Sequence, residues 1–457
     1  MNPVKKGLAQ LAEIIGAMEM MPGEVMPVIK RVSVEIDKID PLDWLDHVRQ
    51  SHKIYWRERD VDIEIAGAGA VVVYYADGHN RFQQVLSHFE RYRLDNDHIN
   101  FFGGFSFQPG SNKDNSTPGW NRYYDAYFFL PRFEISRHGD KIELAVNIMV
   151  HPSKPDEISN VLTQLHLFAA FAEPEARPSV NINSRGDIPG RDQWLRMLDS
   201  AANLIQNGAF EKIVLARQTH LGCDFPPSPW RLLKKLRKHS LNCYLLGFQS
   251  DESSVFISHT PERLYSRRGQ KLQSEALAGT RPRGKTDQDD ISLRNELLNS
   301  EKERREHRYV LDGILDNLAG LCETVNSDLN PSVLKLERVQ HLYSKIEAVL
   351  NRGIKDSDLL AMLHPTPAVG GWPRDKALTG IKEIEPFARG WYAAPVGLLG
   401  SERAEFAVAI RSALIQESKM ILFAGAGIVR DSEPEKEWNE LENKISNYIN
   451  LFPMTQL

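Results

Sequence analysis

Between Tyr55 and Ile148, apolar residues come in short runs: IEIAGAGAVVVYY, NFFGGFSF, YYDAYFFLPRFEIS and KIELAVNIMV. Glycine, asparagine and polar breaks separate the runs, a pattern that predicts a meander of antiparallel strands. Residues Asp156 to Ala172 then take a helical period. The stretch Glu173–Pro189 (EPEARPSVNINSRGDIP) carries the proline, asparagine and glycine of a connection, and the main internal boundary is set there. It divides a β-rich subdomain over residues 1–190 from a region over 191–457, the two expected to form one integrated unit.

The second region alternates differently. Asp192–Asn207 predicts an amphipathic helix and KIVLARQTHL a strand. Pro229–Lys238 is helical and basic, NCYLLGFQ and SVFISH read as a hairpin, and RLYSRRGQKLQSEALAGT as two strands joined at Arg268-Gly269. Asp289–Gly320 reads as one long helix with Leu297, Leu298, Tyr309, Val310, Ile314 and Leu315 on its apolar stripe. EFAVAIRSALI and MILFAGAGIV are predicted strands, and Glu435–Leu451 a closing helix. The uneven order lacks βαβ regularity. It predicts an α+β fold of two large, mostly antiparallel twisted sheets packed together, with helices outside.

Composition narrows the class. The 457 residues are 42% hydrophobic and 26% charged, as in a soluble globular protein. A net charge of −5 argues against a nucleic-acid surface. No run approaches the roughly 18 apolar residues of a membrane helix. Gln10, Glu13 and Glu19 interrupt the N-terminal apolar stretch, which reads as an amphipathic helix and not a signal peptide. Cys223, Cys243 and Cys322 lie far apart, as in a reduced cytoplasmic protein. A monomer is expected.

Several stretches carry candidate chemistry. In EFAVAIRS, period-2 alternation puts Ala407, Ala409 and Arg411 on one face, where a guanidinium over two alanines can clamp a carboxylate. In FAGAGIV, Gly425 and Gly427 let backbone N–H groups approach a ligand, and Arg430 stands where a dinucleotide fingerprint needs glycine. Ser432 and Glu435 make a capping box for a helix on which Glu437, Glu440 and Lys444 share a face. Glu303 and Glu306 repeat the i, i+3 spacing in SEKERREH. Two glutamates from each of two helices, with no Cys/His cluster, suit Mg²⁺ and leave positions open for water or substrate. Lys212, on a small apolar face with Val214 and Ala216, is a candidate base, and Glu262, in a turn after a strand, a candidate acid.

Taken together, the segments EKIVLAR, HTPERL, SEALAGTRPRG, SEKERREH, HPTPAVGG, EPFARGWYAAPVG, FAVAIRSA, FAGAGIV and EKEWNELENK resemble the chorismate-utilising enzymes, in family order across the second half. Anthranilate synthases usually lack the lysine of KIVLAR and show a GTxSGAPK-like stretch in place of HPTPAVGG. The first half, through IYWRERDVDIEIAGAGA, FFGGFSF and YFFLPRFEI, looks like isochorismate synthases of the menaquinone type.

The resemblance implies a Mg²⁺-dependent isomerisation of chorismate to isochorismate. Lys212 would deprotonate the water attacking C2, and Glu262 would protonate the leaving C4 hydroxyl. Glu306 and Glu440 would be metal ligands, with Glu303 and Glu437 reaching the metal directly or through water. Arg411, Gly425 and Gly427 would hold the enolpyruvyl carboxylate, and Lys444 would add charge. Ala278, Gly279 and Thr280 would line the pocket, with His341 near the ring and Tyr392 alongside. A salicylate synthase, which goes on to eliminate pyruvate, is the alternative. A non-catalytic relative binding a chorismate-like ligand is the other.

Overall fold

The computed structural model describes residues 3–18, 26–110, 117, 119–151, 154–168, 178–328 and 330–453. Among these, 21 strands and 11 α-helices alternate in an α+β arrangement, and nearly every strand pair is antiparallel. The parallel exception joins Val28–Glu35 to Arg93–Leu94.

The two expected sheets are arms of one hydrogen-bonded network. The branch point is the strand Ala126–His138, buried over most of its length. One edge pairs throughout with Ile63–Ala76. Its other edge pairs with Phe101–Phe105 near the start and with Lys141–Val150 near the end. A 13-residue strand is long enough to serve two neighbours in succession.

From Ile63–Ala76 the ladder runs through Lys53–Arg57, Tyr244–Gln249, Val255–Thr260, Ser412–Gln416 and Lys419–Ile428 to Lys212–Cys223. From Phe101–Phe105 a second arm runs through Pro395–Leu399, Arg403–Val408, Arg263–Arg268 and Lys271–Pro282 to Val339–Leu350. Strands from before and after residue 190 therefore pair directly, at Lys53–Arg57 with Tyr244–Gln249 and at Phe101–Phe105 with Pro395–Leu399. Between the arms lies an aromatic core. Trp391 is fully buried and meets Phe248 at 4.9 Å and Phe256 at 6.2 Å between ring centroids.

Four local expectations are corrected. The connection Glu173–Pro189 contains a strand, Ile182–Ile188, paired antiparallel with Lys212–Cys223, because its polar residues lie on a solvent-facing edge; residues 173–177 of it, and 169–172 of the preceding helix, lie outside the described residues. The long helix over Asp289–Gly320 is two, Asp287–Asn299 and Glu301–Ala319. Ser300 between them is extended, and its hydroxyl accepts the N–H of Glu303 as an N-cap. Likewise EFAVAIRSALI is two strands, Arg403–Val408 and Ser412–Gln416. Arg411 in the break has φ +48, so simple alternation does not set the direction of its side chain. The Ser432–Glu435 capping box does not form. Glu433 is the N-cap of Pro434–Ile449, and the Ser432 hydroxyl accepts the N–H of Val429 instead.

Candidate active site

The 15 residues singled out in the sequence line one cavity of about 140 Å³. Its floor is the paired strands Lys212–Cys223 and Lys419–Ile428, in which Gly427 faces Val214 and Gly425 faces Ala216. These glycines are needed for space. A Cβ at Gly425 would stand 2.7 Å from the Tyr392 hydroxyl, and one at Gly427 would stand 3.0 Å from both Lys212 Cε and Glu306 Oε1.

Two helices supply the acidic side. Glu301–Ala319 carries Glu303 and Glu306, and Pro434–Ile449 carries Glu437, Glu440 and Lys444. Each pair sits one turn apart on its helix, so all four carboxylates face the same space. Lys212 Nζ, 1% exposed, donates to Glu306 Oε1 at 2.9 Å. Burial works against ionisation of Glu306, but the charge and hydrogen bond of Lys212 outweigh it and hold the carboxyl below its usual range. Lys444 donates to Glu440 at 2.5 Å and to the Gly425 carbonyl at 2.9 Å. Arg281 donates to Glu303 at 2.6 Å, and the Thr280 N–H donates to the same carboxylate at 3.2 Å.

Glu437 is different. Burial, and then the nearby charges of Glu440 and Glu306, push it up to about 7. Carboxylates crowded enough to resist ionisation are a site where a hard cation is favourable. Among the described residues, no three ligating side chains already stand as a closed metal cage. The donor set nonetheless fits Mg²⁺: it consists of oxygens, comes from two opposed helices and leaves open positions.

Glu262 stands in the break between Val255–Thr260 and Arg263–Arg268. Burial, reinforced by Glu275, raises its carboxyl to about 8, so it holds a proton at neutral pH. The Thr366 hydroxyl donates to its Oε1 at 3.3 Å. Glu275 itself accepts two hydrogen bonds from Arg59, at 2.5 and 2.7 Å.

At the far end, Arg411 is held through its backbone. Its carbonyl accepts from the Tyr448 hydroxyl at 2.9 Å and from the His259 N–H at 3.2 Å. Burial lowers the Arg411 pKa, and the guanidinium donates to His341 Nε2 at 3.1 Å. His341 Nδ1 donates to the Gly279 carbonyl at 3.2 Å and lies 3.0 Å from the Thr280 hydroxyl. Burial, together with Arg411 and Lys444, pushes His341 down to about 3, so it is neutral and can accept from Arg411. Gly279 takes φ +75 beside Glu303, a conformation glycine adopts without strain.

Val214 lines the cavity beside Lys212, as the alternation predicted, but sequence reasoning missed Leu277, Ile410 and Phe423 on the apolar wall. Phe423 stacks on Tyr392 with ring centroids 5.3 Å apart. It also missed Thr366, the partner of Glu262. An apolar or hydroxyl residue inside a predicted strand or turn gives no signal that separates a pocket wall from core. A second cavity of about 470 Å³ adjoins the first and shares Thr280, His341, Arg411, Glu440 and Lys444 with it. No helix among the described residues is long and apolar enough to cross a membrane.

The family model described as chorismate binding enzyme matches residues 17–452. Isochorismate synthase MenF of Bacillus subtilis (strain 168) is 34% identical over 438 residues, covering 91% of this chain and 92% of that protein. Isochorismate synthase MenF of Escherichia coli (strain K12) is 31% identical over 422 residues, 92% of each. A solved structure of MenF, the menaquinone-specific isochorismate synthase from Escherichia coli, superposes with a TM-score of 0.85 at 29% identity, covering 99% of this chain and 100% of that one.

Proposed function

The chain belongs to the chorismate-binding enzymes, and from that premise we propose that it is an isochorismate synthase, exchanging the C4 hydroxyl of chorismate for one at C2. The observation that carries this reading is that Lys212 and Glu262 line one cavity. Glu262 keeps its proton at neutral pH. Hydroxide leaves poorly unless it is protonated, and water attacks poorly unless it is deprotonated. Lys212 takes the proton of the water that attacks C2, and Glu262 gives its proton to the oxygen leaving C4. One allylic alcohol replaces another, so the reaction runs in both directions.

Chorismate is a dianion and needs fixed positive charge. Arg411 is the carboxylate clamp, oriented by His341 before substrate arrives, and Lys444 adds charge beside Gly425. Arg411→Lys keeps the charge but loses the planar fork. Its chorismate KM is expected to rise by about 10- to 100-fold, with a smaller change in kcat, as measured by steady-state kinetics.

Glu306 and Glu440 would hold Mg²⁺, with Glu303 and Glu437 beside them. The ion would supply charge compensation between substrate carboxylate and the acidic helices. Chelation is expected to remove turnover, and added Mg²⁺ to restore it. Full activity in excess chelator would remove the metal from this reading.

The names of the similar proteins favour menaquinone biosynthesis as the setting. The three free cysteines, with no disulfide among them, suit a reducing cytoplasm, and we take the enzyme to act there as a monomer. Product identification tests the function itself. Incubation with chorismate and Mg²⁺, with and without ammonia, should give isochorismate alone by NMR. Salicylate with pyruvate would assign a salicylate synthase, anthranilate would assign the ammonia-using relative, and no turnover would leave a binding protein.

A further inference from the structure

Glu262 occupies a two-residue break between strands, and all four polar groups of the two peptides that flank it are bonded. Its own N–H donates to the Thr260 hydroxyl at 3.2 Å, and its carbonyl accepts the Val408 N–H at 3.0 Å. The other two, the Pro261 carbonyl and the Arg263 N–H, are held by one buried pair. Arg59, which follows the strand Lys53–Arg57 in the first half of the chain, donates through Nη1 to the Pro261 carbonyl at 2.6 Å. Its Nη1 and Nη2 also donate to the two carboxylate oxygens of Glu275, on the strand Lys271–Pro282. Glu275 Oε1 in turn accepts the Arg263 N–H at 3.0 Å. Behind them, Asp60 accepts from Arg59 at 2.8 Å and from Arg263 at 2.6 Å.

The side chains of Arg59 and Glu275 are 3% and 0% exposed. Neither lines the reaction cavity. A buried ion pair contributes little net stability compared with apolar residues of the same volume, whereas a planar fork on a carboxylate fixes geometry closely. The pair is therefore better suited to orientation than to holding the fold. Its charge also reaches the acid. The other groups that face Glu262 are Lys212 from the strand Lys212–Cys223, Lys444 from the helix Pro434–Ile449, the Thr366 hydroxyl and Tyr392. Thr366, Lys212 and Lys444 favour its ionised form, while burial, and then Glu275, favour the protonated one.

We propose that Arg59 and Glu275 are positioning residues for the reaction, holding the peptides on both sides of Glu262 so that its carboxyl is aimed at the oxygen leaving C4. The inference rests on the reading of Glu262 as the acid. Neither residue touches substrate, and each acts through Glu262. The first half of the chain thus takes part in the chemistry through a single guanidinium.

The test is steady-state kinetics against pH on the full chain and on Glu275→Gln, Arg59→Lys and Glu262→Gln. Loss of the Glu262 proton sets the alkaline limb of kcat/KM near pH 8 in the parent. In Glu275→Gln the like charge is gone and Arg59 is left beside the acid, so the limb should move down by about one pH unit. Arg59→Lys keeps the charge and loses the fork. Its kcat should fall about 10- to 100-fold, with the chorismate KM within a fewfold of the parent and the limb in place. A limb that disappears in Glu262→Gln but does not move in Glu275→Gln overturns the inference and leaves the acid standing. A limb that survives Glu262→Gln overturns the acid, and the inference with it. Parental kcat in Arg59→Lys, or a KM that rises in step with the fall in kcat, also overturns it. That split decides the matter even if Glu275→Gln does not fold.

Discussion

Alanine in place of Lys212 is expected to lower chorismate turnover by about 10³-fold, within the 10²- to 10⁴-fold range for loss of a general base. Chorismate affinity should stay within a fewfold of the parent. The split follows from position. Lys212 is 1% exposed and engaged with Glu306, whereas the groups proposed to hold the substrate carboxylates are Arg411 and Lys444. Removing it takes away the proposed proton acceptor and leaves the proposed clamp standing. Equilibrium binding of chorismate to the variant, beside its steady-state rate, is the measurement. Near-normal kcat would take Lys212 out of the mechanism. Loss of binding together with rate would mean that Lys212 holds the site together through Glu306 and does not take a proton.

Glu262→Gln is expected to cost about 10²- to 10⁴-fold in kcat and, more tellingly, to change the pH dependence. In the parent, Glu262 holds its proton below about pH 8, the form the proposed acid needs. The kcat/KM profile should therefore carry an alkaline limb near that value, falling about tenfold per pH unit. The glutamine variant should lack that limb. Stability gives a second readout with the opposite sense. The carboxyl's pKa rises from 4.5 to about 8 on folding, so between those values the folded chain binds the extra proton. Parental stability then falls as pH rises through that window, by up to about 1.4 kcal/mol per unit. Glutamine has no proton to lose. At pH 9 the variant should melt at a higher temperature than the parent, with the gap closing toward pH 5. A parent with no alkaline limb, or a variant no more stable at pH 9, would place Glu262 elsewhere in the chemistry.

Much of this was legible in the chain because the informative residues are of the wrong type for their surroundings. A lysine opening an apolar strand, a glutamate between strands, and i, i+3 glutamates on two helices all stand out against a period of 2 or 3.6. Glycines at alternate positions of one strand mark a close backbone approach. What the sequence hid falls into two kinds. Ser300 and Arg411 interrupt elements whose apolar pattern runs straight through them, because a cap or a left-handed residue costs one position and leaves the period on either side intact. Thr366 and Arg59 belong to the second kind. Each acts through a partner far away in sequence, Glu262 and Glu275, and no local pattern carries that information.

The shared strand Ala126–His138 has a consequence for how the molecule can be divided. Each arm reaches the other through it, and each half of the chain lends strands to the other half's edges. Cutting near residue 190 would strip Tyr244–Gln249 and Pro395–Leu399 of neighbours and expose apolar strand borders on both fragments, the usual seed of intermolecular pairing. The cavity's lining residues all come from the second half, but that half leans on strands of the first. Insertions and fusions belong at the loops, and heredity of the site requires the whole chain to travel together.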